Sequence, residues 1–352
     1  MRTYIRAFTV GAWLIAATCQ LTAVSVTAQE MPATKLKLIG GISVTSQSKQ
    51  LEMPFWREQV PKASGGRITA DIQPFNEINL KGPEILRLVA RGVADGGTAF
   101  LGHMSGDIPR NEGPDLAGLS PDFELFRKVT NAYRPVLAAH YETIGLKLLG
   151  MWSYQAQVMF CSQPLKSLSE LKGRKVRTAA ASQADFIEYF GGTAVPMNVG
   201  EVQPALAKGL IDCSFTGTLG AYQMGWFPAA KSVYPMPITW GSIGFVINLK
   251  KWNSLPQSVR TFLETQVKGL EDKIWELNRR EHAIGLDCTT GKECPFGKPA
   301  MMTAAQPLEV DKELLRRALV ESVLPKWGKR CGDACVKEWN EVVGPVAGVR
   351  AQ

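Results

Sequence analysis

The sequence predicts an α/β protein of two lobes with a cleft between them, braced by a long helix toward the C-terminal end. Three observations carry this. Short apolar strands alternate with amphipathic helices over 36–246, the alternation restarts near residue 146, and after Pro256 apolar residues recur at three- and four-residue steps.

In the first unit, 35–42 reads as a strand and 46–62 as a helix with Leu51, Phe55 and Val60 inward. A Gly-Gly turn precedes a strand over 66–75. A helix over 82–93 follows, with Ile85, Leu86 and Val89 on one face, and then a strand over 94–100. This β-α-β-α-β order implies a parallel sheet covered on both faces. The second unit has strands at 146–152 and 158–161, a helical turn at 168–171, a strand at 174–179 and a helix at 182–190. Strands at 193–196, 210–215 and 232–235 flank a helix at 201–208, and 241–248 returns as a long β-run. Val259, Phe262, Leu263, Val267, Leu270, Ile274 and Leu277 line a helix of about seven turns. A second amphipathic helix is expected over 314–324, and disorder only over 347–352. The division that follows is a leader at 1–28, lobe I at 29–153 plus 241–255, lobe II at 154–240 plus part of 286–346, and the spanning helix at 256–285.

Arg2 and Arg6, an apolar stretch over 7–17 and the Val26-Thr27-Ala28 site form a secretory signal pattern, with cleavage expected after Ala28 and export to the periplasm. Cys19 follows Ala16-Ala17-Thr18, which lacks the residues of a lipoprotein site. Removing the leader's two arginines lowers the formal charge from +8 to +6. Lys and Arg are interleaved with Asp and Glu, with no Arg-rich arm, so nucleic acid is not an expected partner.

Six of the seven cysteines lie beyond the leader. In an oxidising compartment Cys288, Cys294, Cys331 and Cys335 read as disulfides, the two local pairs preferred and a cross-link between the segments second. A zinc site is the alternative use of these four, although C-x5-C and C-x3-C are not the usual finger spacings. Cys161 and Cys213, inside apolar strand-like runs, read as buried free thiols.

Catalytic signatures are missing. His103, His140 and His282 form no H-x-x-x-H or H-E-x-x-H pair and read as surface or cleft-edge residues. No G-x-S-x-G, G-x-G-x-x-G or P-loop occurs, so neither an enzyme nor a cofactor is expected. What stands out is Leu168-Ser169-Glu170-Leu171-Lys172-Gly173-Arg174-Lys175-Val176-Arg177, a tight turn into a strand that ends in arginine before a helix start at Ser182. Ligands of open α/β sheets bind beyond the carboxyl ends of strands, so Arg177 would face the cleft beside helix N–H groups. A guanidinium there matches a carboxylate bidentately.

Three segments together carry a family resemblance: Gly65-Gly66-Arg67-Ile68; Leu171-Lys172-Gly173-Arg174-Lys175-Val176-Arg177; and Pro196-Met197 through Glu201-Val202, Ala205-Leu206 and Gly209 to Asp212. In order and spacing the chain resembles, over roughly 35–285, the substrate-binding subunit of tripartite ATP-independent periplasmic (TRAP) transporters of the DctP type. The resemblance implies a two-lobed periplasmic-binding-protein fold and delivery of an organic acid to an ion-gradient-driven TRAP permease. It also places Arg177 on the arginine that pairs with the ligand carboxylate.

Departures from the family pattern refine this. Gln157 stands where acidic-sugar and dicarboxylate members often carry a second arginine, and Phe215-Thr216 replaces a Glu-Asn pair. Phe100 replaces an acidic residue and Trp240 a smaller polar one. The expected site is therefore Arg177 for one carboxylate, with Phe100, Trp152, Phe215 and Trp240 as an aromatic lining. Gln157, Thr216 and Ser43 are the candidate polar contacts, and Tyr222 and Trp226 are packing residues. Such a pocket favours an apolar or ring-bearing monocarboxylate, because polar groups on a sugar acid would lack partners. A ligand sensor feeding a receptor, or a metal-dependent protein using the C-terminal cysteines, are the other readings.

Overall fold

The computed structural model of the chain describes residues 31–352; the expected leader, Cys19 and the cleavage site at Ala28 lie outside the described residues. In chain order the strands are β1 (Thr34–Gly40), β2 (Ile68–Pro74), β3 (Gly96–Phe100), β4 (Leu146–Ser153), β5 (Gln157–Cys161), β6 (Lys175–Thr178), β7 (Thr193–Pro196), β8 (Cys213–Gly217), β9 (Ser232–Thr239), β10 (Ser242–Asn248) and β11 (Thr303–Ala304). They form two sheets, β2-β1-β3-β10-β4 in lobe I and β11-β9-β5-β8-β6-β7 in lobe II.

Both sheets are mixed. The βαβ segments pair β1 with β2 and β3, and β6 with β7 and β8, in parallel as the alternation predicts. β10 runs antiparallel to β3 and β4, and β5 antiparallel to β8 and β9. The cause is the pair of crossovers. β4 passes to β5, and β9 to β10, through links (154–156 and 240–241) too short for a helix, so each strand enters the opposite lobe reversed. The crossovers lie side by side, with the Tyr154 N–H donating to the Gly241 carbonyl at 3.0 Å. Gly241 takes φ +69°, and a Cβ there would sit 3.1 Å from the Gln157 amide nitrogen, so the bend calls for glycine.

The long helix spans Gln257–Thr289, 33 residues and about 50 Å, four residues beyond the expected end. Val259, Leu263, Val267, Leu270 and Ile274 are buried along one face, as their spacing predicts. Polar residues on the same helix grip the crossover. Asn278 Nδ2 donates to the Ser153 carbonyl (2.6 Å) and to Gln47 Oε1 (3.1 Å), and Glu281 Oε2 accepts from Ser46 Oγ (2.6 Å) and Gln155 Nε2 (2.9 Å).

The helix expected at 46–62 forms over 47–63, with wide i→i+5 turns at Gln47–Glu52 and Phe55–Gln59. Phe55, Trp56 and Val60 are buried and Leu51 only half-buried. A 21-residue helix, Phe123–Thr143, was not anticipated. Its buried Phe126, Val129, Tyr133, Leu137 and Tyr141 keep helical spacing, and Asp122 caps it through Leu125 N–H (2.8 Å). Pro135 interrupts the pattern in the sequence, yet it sits on the exposed face.

The C-terminal region is helical over 309–331 and at Asp333–Val342, and packs on both lobes. Trp327 and Trp339 donate indole N–H bonds to the carbonyls of Pro109 (2.8 Å) and Gly113 (2.7 Å), while Ser322 Oγ donates to the Asp185 carbonyl (3.0 Å). The disorder expected over 347–352 is not found. Val349 and Ala351 are buried, and Asn340 exchanges two hydrogen bonds with the Ala351 backbone.

Cysteine pairing follows the local preference for Cys288–Cys294 and Cys331–Cys335, which leaves those sulfurs unavailable as the thiolate ligands of the zinc alternative. The free-thiol reading of Cys161 and Cys213 is overturned. They are opposed residues of the antiparallel β5–β8 pair, Cα atoms 4.0 Å apart, and form a third disulfide. They are 52 positions apart in sequence, so only the strand register brings them together. Among the described residues no helix is long and apolar enough to cross a membrane.

Candidate functional site

Between the lobes, where β3, β6 and β8 end beside the crossovers, lies a cavity of about 60 Å³. Roughly four to six waters would fill it. Lobe I contributes Gly41, Ile42, Thr45, Phe75, Ile85, Thr98, Phe100 and His103. The first crossover adds Tyr154, Gln155 and Gln157, and lobe II adds Arg177, Ala179, Val199, Phe215, Thr216, Gly217, Gly220 and Met224. A vestibule of about 410 Å³ shares Ile42, Phe75, His103, Val199 and Met224 with it and is otherwise rich in amides, including Asn76, Asn79, Asn198, Gln203 and Gln223.

Arg177 is the sole charged residue of the inner wall among the described residues. It stands near the carboxyl end of β6, between Val195 of β7 and Ser214 of β8, and is 3% exposed. Nε donates to the Met197 carbonyl (2.9 Å) and Nη1, at 3.4 Å, to the Phe215 carbonyl. No carboxylate among the described residues lies within ion-pair distance of it. Burial pulls its pKa down to about 10, against the weaker opposite pull of Glu201, so the guanidinium is charged at neutral pH. A buried cation without a counter-ion is costly, and an anion entering the cavity would offset that cost.

Five of the expected site residues line this cavity together: Arg177, Gln157, Thr216, Phe215 and Phe100. Gln157 Nε2 donates to the Gln155 carbonyl (3.0 Å), which aims the amide along the crossover. Three expected residues do not line it. Trp152, on β4, is fully buried in the core that packs against the long helix, because strand alternation turns it away from Met151's side. Trp240 stacks on Phe126 (6.0 Å between ring centroids) and donates its indole N–H to the Ser120 carbonyl (2.9 Å), so it packs behind the second crossover. Ser43 sits on the rim, its N–H donating to Asn76 Oδ1 and its hydroxyl accepting from Asn76 Nδ2, both at 3.0 Å.

The helix start near Arg177 also differs from expectation. Ala181 N–H donates to Ser105 Oγ (2.9 Å) and Ser182 N–H to Glu112 Oε1 (2.7 Å), both acceptors belonging to lobe I. Those N–H groups hold the lobes together and are not offered to the cavity. Of the packing residues, Tyr222 donates to the Lys298 carbonyl (3.0 Å), whereas the buried Trp226 forms part of the vestibule wall. Sequence alone does not assign Phe75, Tyr154, Gln155 or Met224 to the site, and His103, expected at the surface or cleft edge, stands in the cavity wall. Tyr154 and Gln155 lie just before Gln157 on the same crossover, within reach of the same comparison. The others carry no motif, and only the folding of distant loops assembles them.

Comparison with known proteins fits this geometry. The family model for DctP, bacterial extracellular solute-binding protein, family 7, matches residues 40–289. The C4-dicarboxylate-binding periplasmic protein DctP of Rhodobacter capsulatus is 23% identical over 215 residues, 59% of this chain; the chain spans 63% of that relative's length. The Bordetella pertussis extracytoplasmic solute receptor DctP7, which binds pyroglutamic acid, superposes with a TM-score of 0.78 at 20% identity, covering 88% of this chain and 99% of its own. A TRAP periplasmic solute-binding protein from Desulfovibrio salexigens with bound orotic acid gives 0.77 at 14% identity, covering 89% and 99%. The match over most of the two-lobed body, on a fold with an interlobe cavity, places the chain in the DctP family of bacterial extracellular solute-binding proteins.

Proposed function

We propose that this protein captures a compact organic monocarboxylate in the periplasm and delivers it to a TRAP membrane permease. The observation that carries the reading is Arg177: one buried, uncompensated guanidinium in a wall otherwise made of Phe75, Phe100, Phe215, aliphatic side chains and neutral polar groups. Its permanent charge and planar fork suit one carboxylate. Phe75, Phe100 and Phe215 would cover an apolar or ring-bearing body, and the small cavity favours a compact one. Gln157 and Thr216 line the same wall and would bond a carboxylate or an oxo group next to it. Pyroglutamic and orotic acids, the ligands of the two structural relatives, are both compact ring monocarboxylates. Calorimetric titration with compact ring monocarboxylates and with succinate tests the reading. Tighter binding of the monocarboxylates is expected, and a preference for succinate would refute it.

A further inference from the structure

We propose that His103 is a specificity-determining residue of this cleft, requiring the ligand to carry a neutral hydrogen-bonding group (hydroxyl, oxo or lactam) besides its carboxylate. The inference deepens the reading above and rests on Arg177 taking the carboxylate. His103 lies in the wall shared by cavity and vestibule, and neither ring nitrogen has a protein hydrogen-bond partner among the described residues. Its ring is fixed by packing alone. Phe100 meets it edge-on with centroids 4.8 Å apart, and Gly82 lies so close that a Cβ at that position would fall 1.9 Å from Nδ1. Any residue but glycine at 82 would push the imidazole out of the wall.

The ring's charge state sharpens the selectivity. Burial, and then the positive charge of Arg177, hold its pKa down at about 3, so the imidazole is neutral throughout the physiological range. Nδ1 is sealed against Gly82, so Nε2 is the nitrogen left to meet a ligand, as a donor or an acceptor according to tautomer and never as a second cation. A hydrocarbon body against this wall would leave Nε2 unpaired, weakening binding roughly tenfold or more. A second carboxylate in the inner cavity would be desolvated beside Arg177 alone, which the first carboxylate already engages, because Lys81 lies out in the vestibule. A neutral polar group avoids both penalties.

Pyroglutamate and cyclopentanecarboxylate form a matched pair of probes, five-membered-ring monocarboxylates that differ by the lactam. In calorimetric titration the wild type should bind pyroglutamate roughly tenfold or more tighter than cyclopentanecarboxylate. His103→Phe should bring the two affinities to within about threefold, by weakening pyroglutamate, and His103→Gln should keep most of the preference. If His103→Phe proves unfolded by its thermal melt, His103→Leu replaces it with the same expectation. Absence of the preference in the wild type, no binding of either acid, or a preference undiminished in the apolar variant would overturn the proposal. Arg177→Gln should abolish binding of both acids; unchanged affinities there would overturn the Arg177 reading itself, whatever the His103 variants show.

Discussion

The Glu112 carboxylate, on the lobe I loop that follows β3, accepts a 2.7 Å hydrogen bond from the backbone N–H of Ser182, which lies in the first turn of helix Ala181–Tyr189 in lobe II. Arg330 of the C-terminal helices stands 3.7 Å from the other carboxylate oxygen and pairs with Asp185 at 2.6 Å. One buried acid thus joins both lobes and the C-terminal strap, just behind the cavity.

Burial raises the Glu112 pKa to about 7, outweighing the Ser182 hydrogen bonds and Arg330, while Asp185 pushes in the same direction as burial. The folded state holds this proton more tightly than the unfolded chain, whose carboxyl titrates near 4.5. The stabilisation from Glu112 is then fully present below about pH 4.5 and lost as pH rises through about 7. Asp115, which accepts from the N–H groups of Trp240, Gly241 and Ser242, is also raised to about 7, mainly by burial, and has the same sign. Glu112→Gln keeps an acceptor for Ser182 but cannot ionise. Its Tm relative to wild type should rise between pH 5 and pH 8, and a constant difference across that range would contradict the assignment.

The Cys161–Cys213 bridge ties β5 to β8 near the strand segments that carry Gln157, Phe215 and Thr216. Replacing both cysteines with alanine releases a closure spanning 52 residues and should cost roughly 2–4 kcal/mol in urea unfolding. Thiol counting on the denatured, unreduced protein checks the pairing directly. One or more free thiols from these two residues would contradict it.

Trp240 tests the corrected placement of the aromatics. Trp240→Phe loses the bond to the Ser120 carbonyl and part of the stacking on Phe126, so about 1–3 kcal/mol of stability should go. Ligand affinity should change by less than about threefold, because the ring does not line the cavity. A large loss of affinity without loss of stability would return Trp240 to the site.

Much of the fold was legible because local signals agreed with the final contacts. The β1-to-β3 unit alternates strand and helix in the plain order that parallel pairing needs, and Val259, Leu263, Val267 and Ile274 repeat at the helical period. Helix Phe123–Thr143 was hidden by Pro135, whose exposed position makes it tolerable only once the buried face is known. At the site, Arg177, Gln157, Phe215, Thr216 and Phe100 sit at strand ends, where order along the chain predicts position. Trp152 and Trp240 were misjudged because composition does not say which face of a strand or crossover a ring takes. His103 reads from sequence only as a surface or cleft-edge residue, because its proximity to Gly82, Phe100 and Arg177 is created by tertiary folding, not by any spacing in the chain. The Cys161–Cys213 pair depends likewise on the β5–β8 register.

The central claim is that the Arg177 guanidinium binds the ligand's carboxylate. The most direct test is ligand-induced thermal stabilisation of Arg177→Ala beside the wild type, with pyroglutamate and the other ring monocarboxylates. The wild type should gain several degrees in Tm at saturating acid, following mass action. Arg177→Ala should melt cooperatively and gain nothing. An Arg177→Ala protein stabilised by the same acid to the same extent would contradict the account.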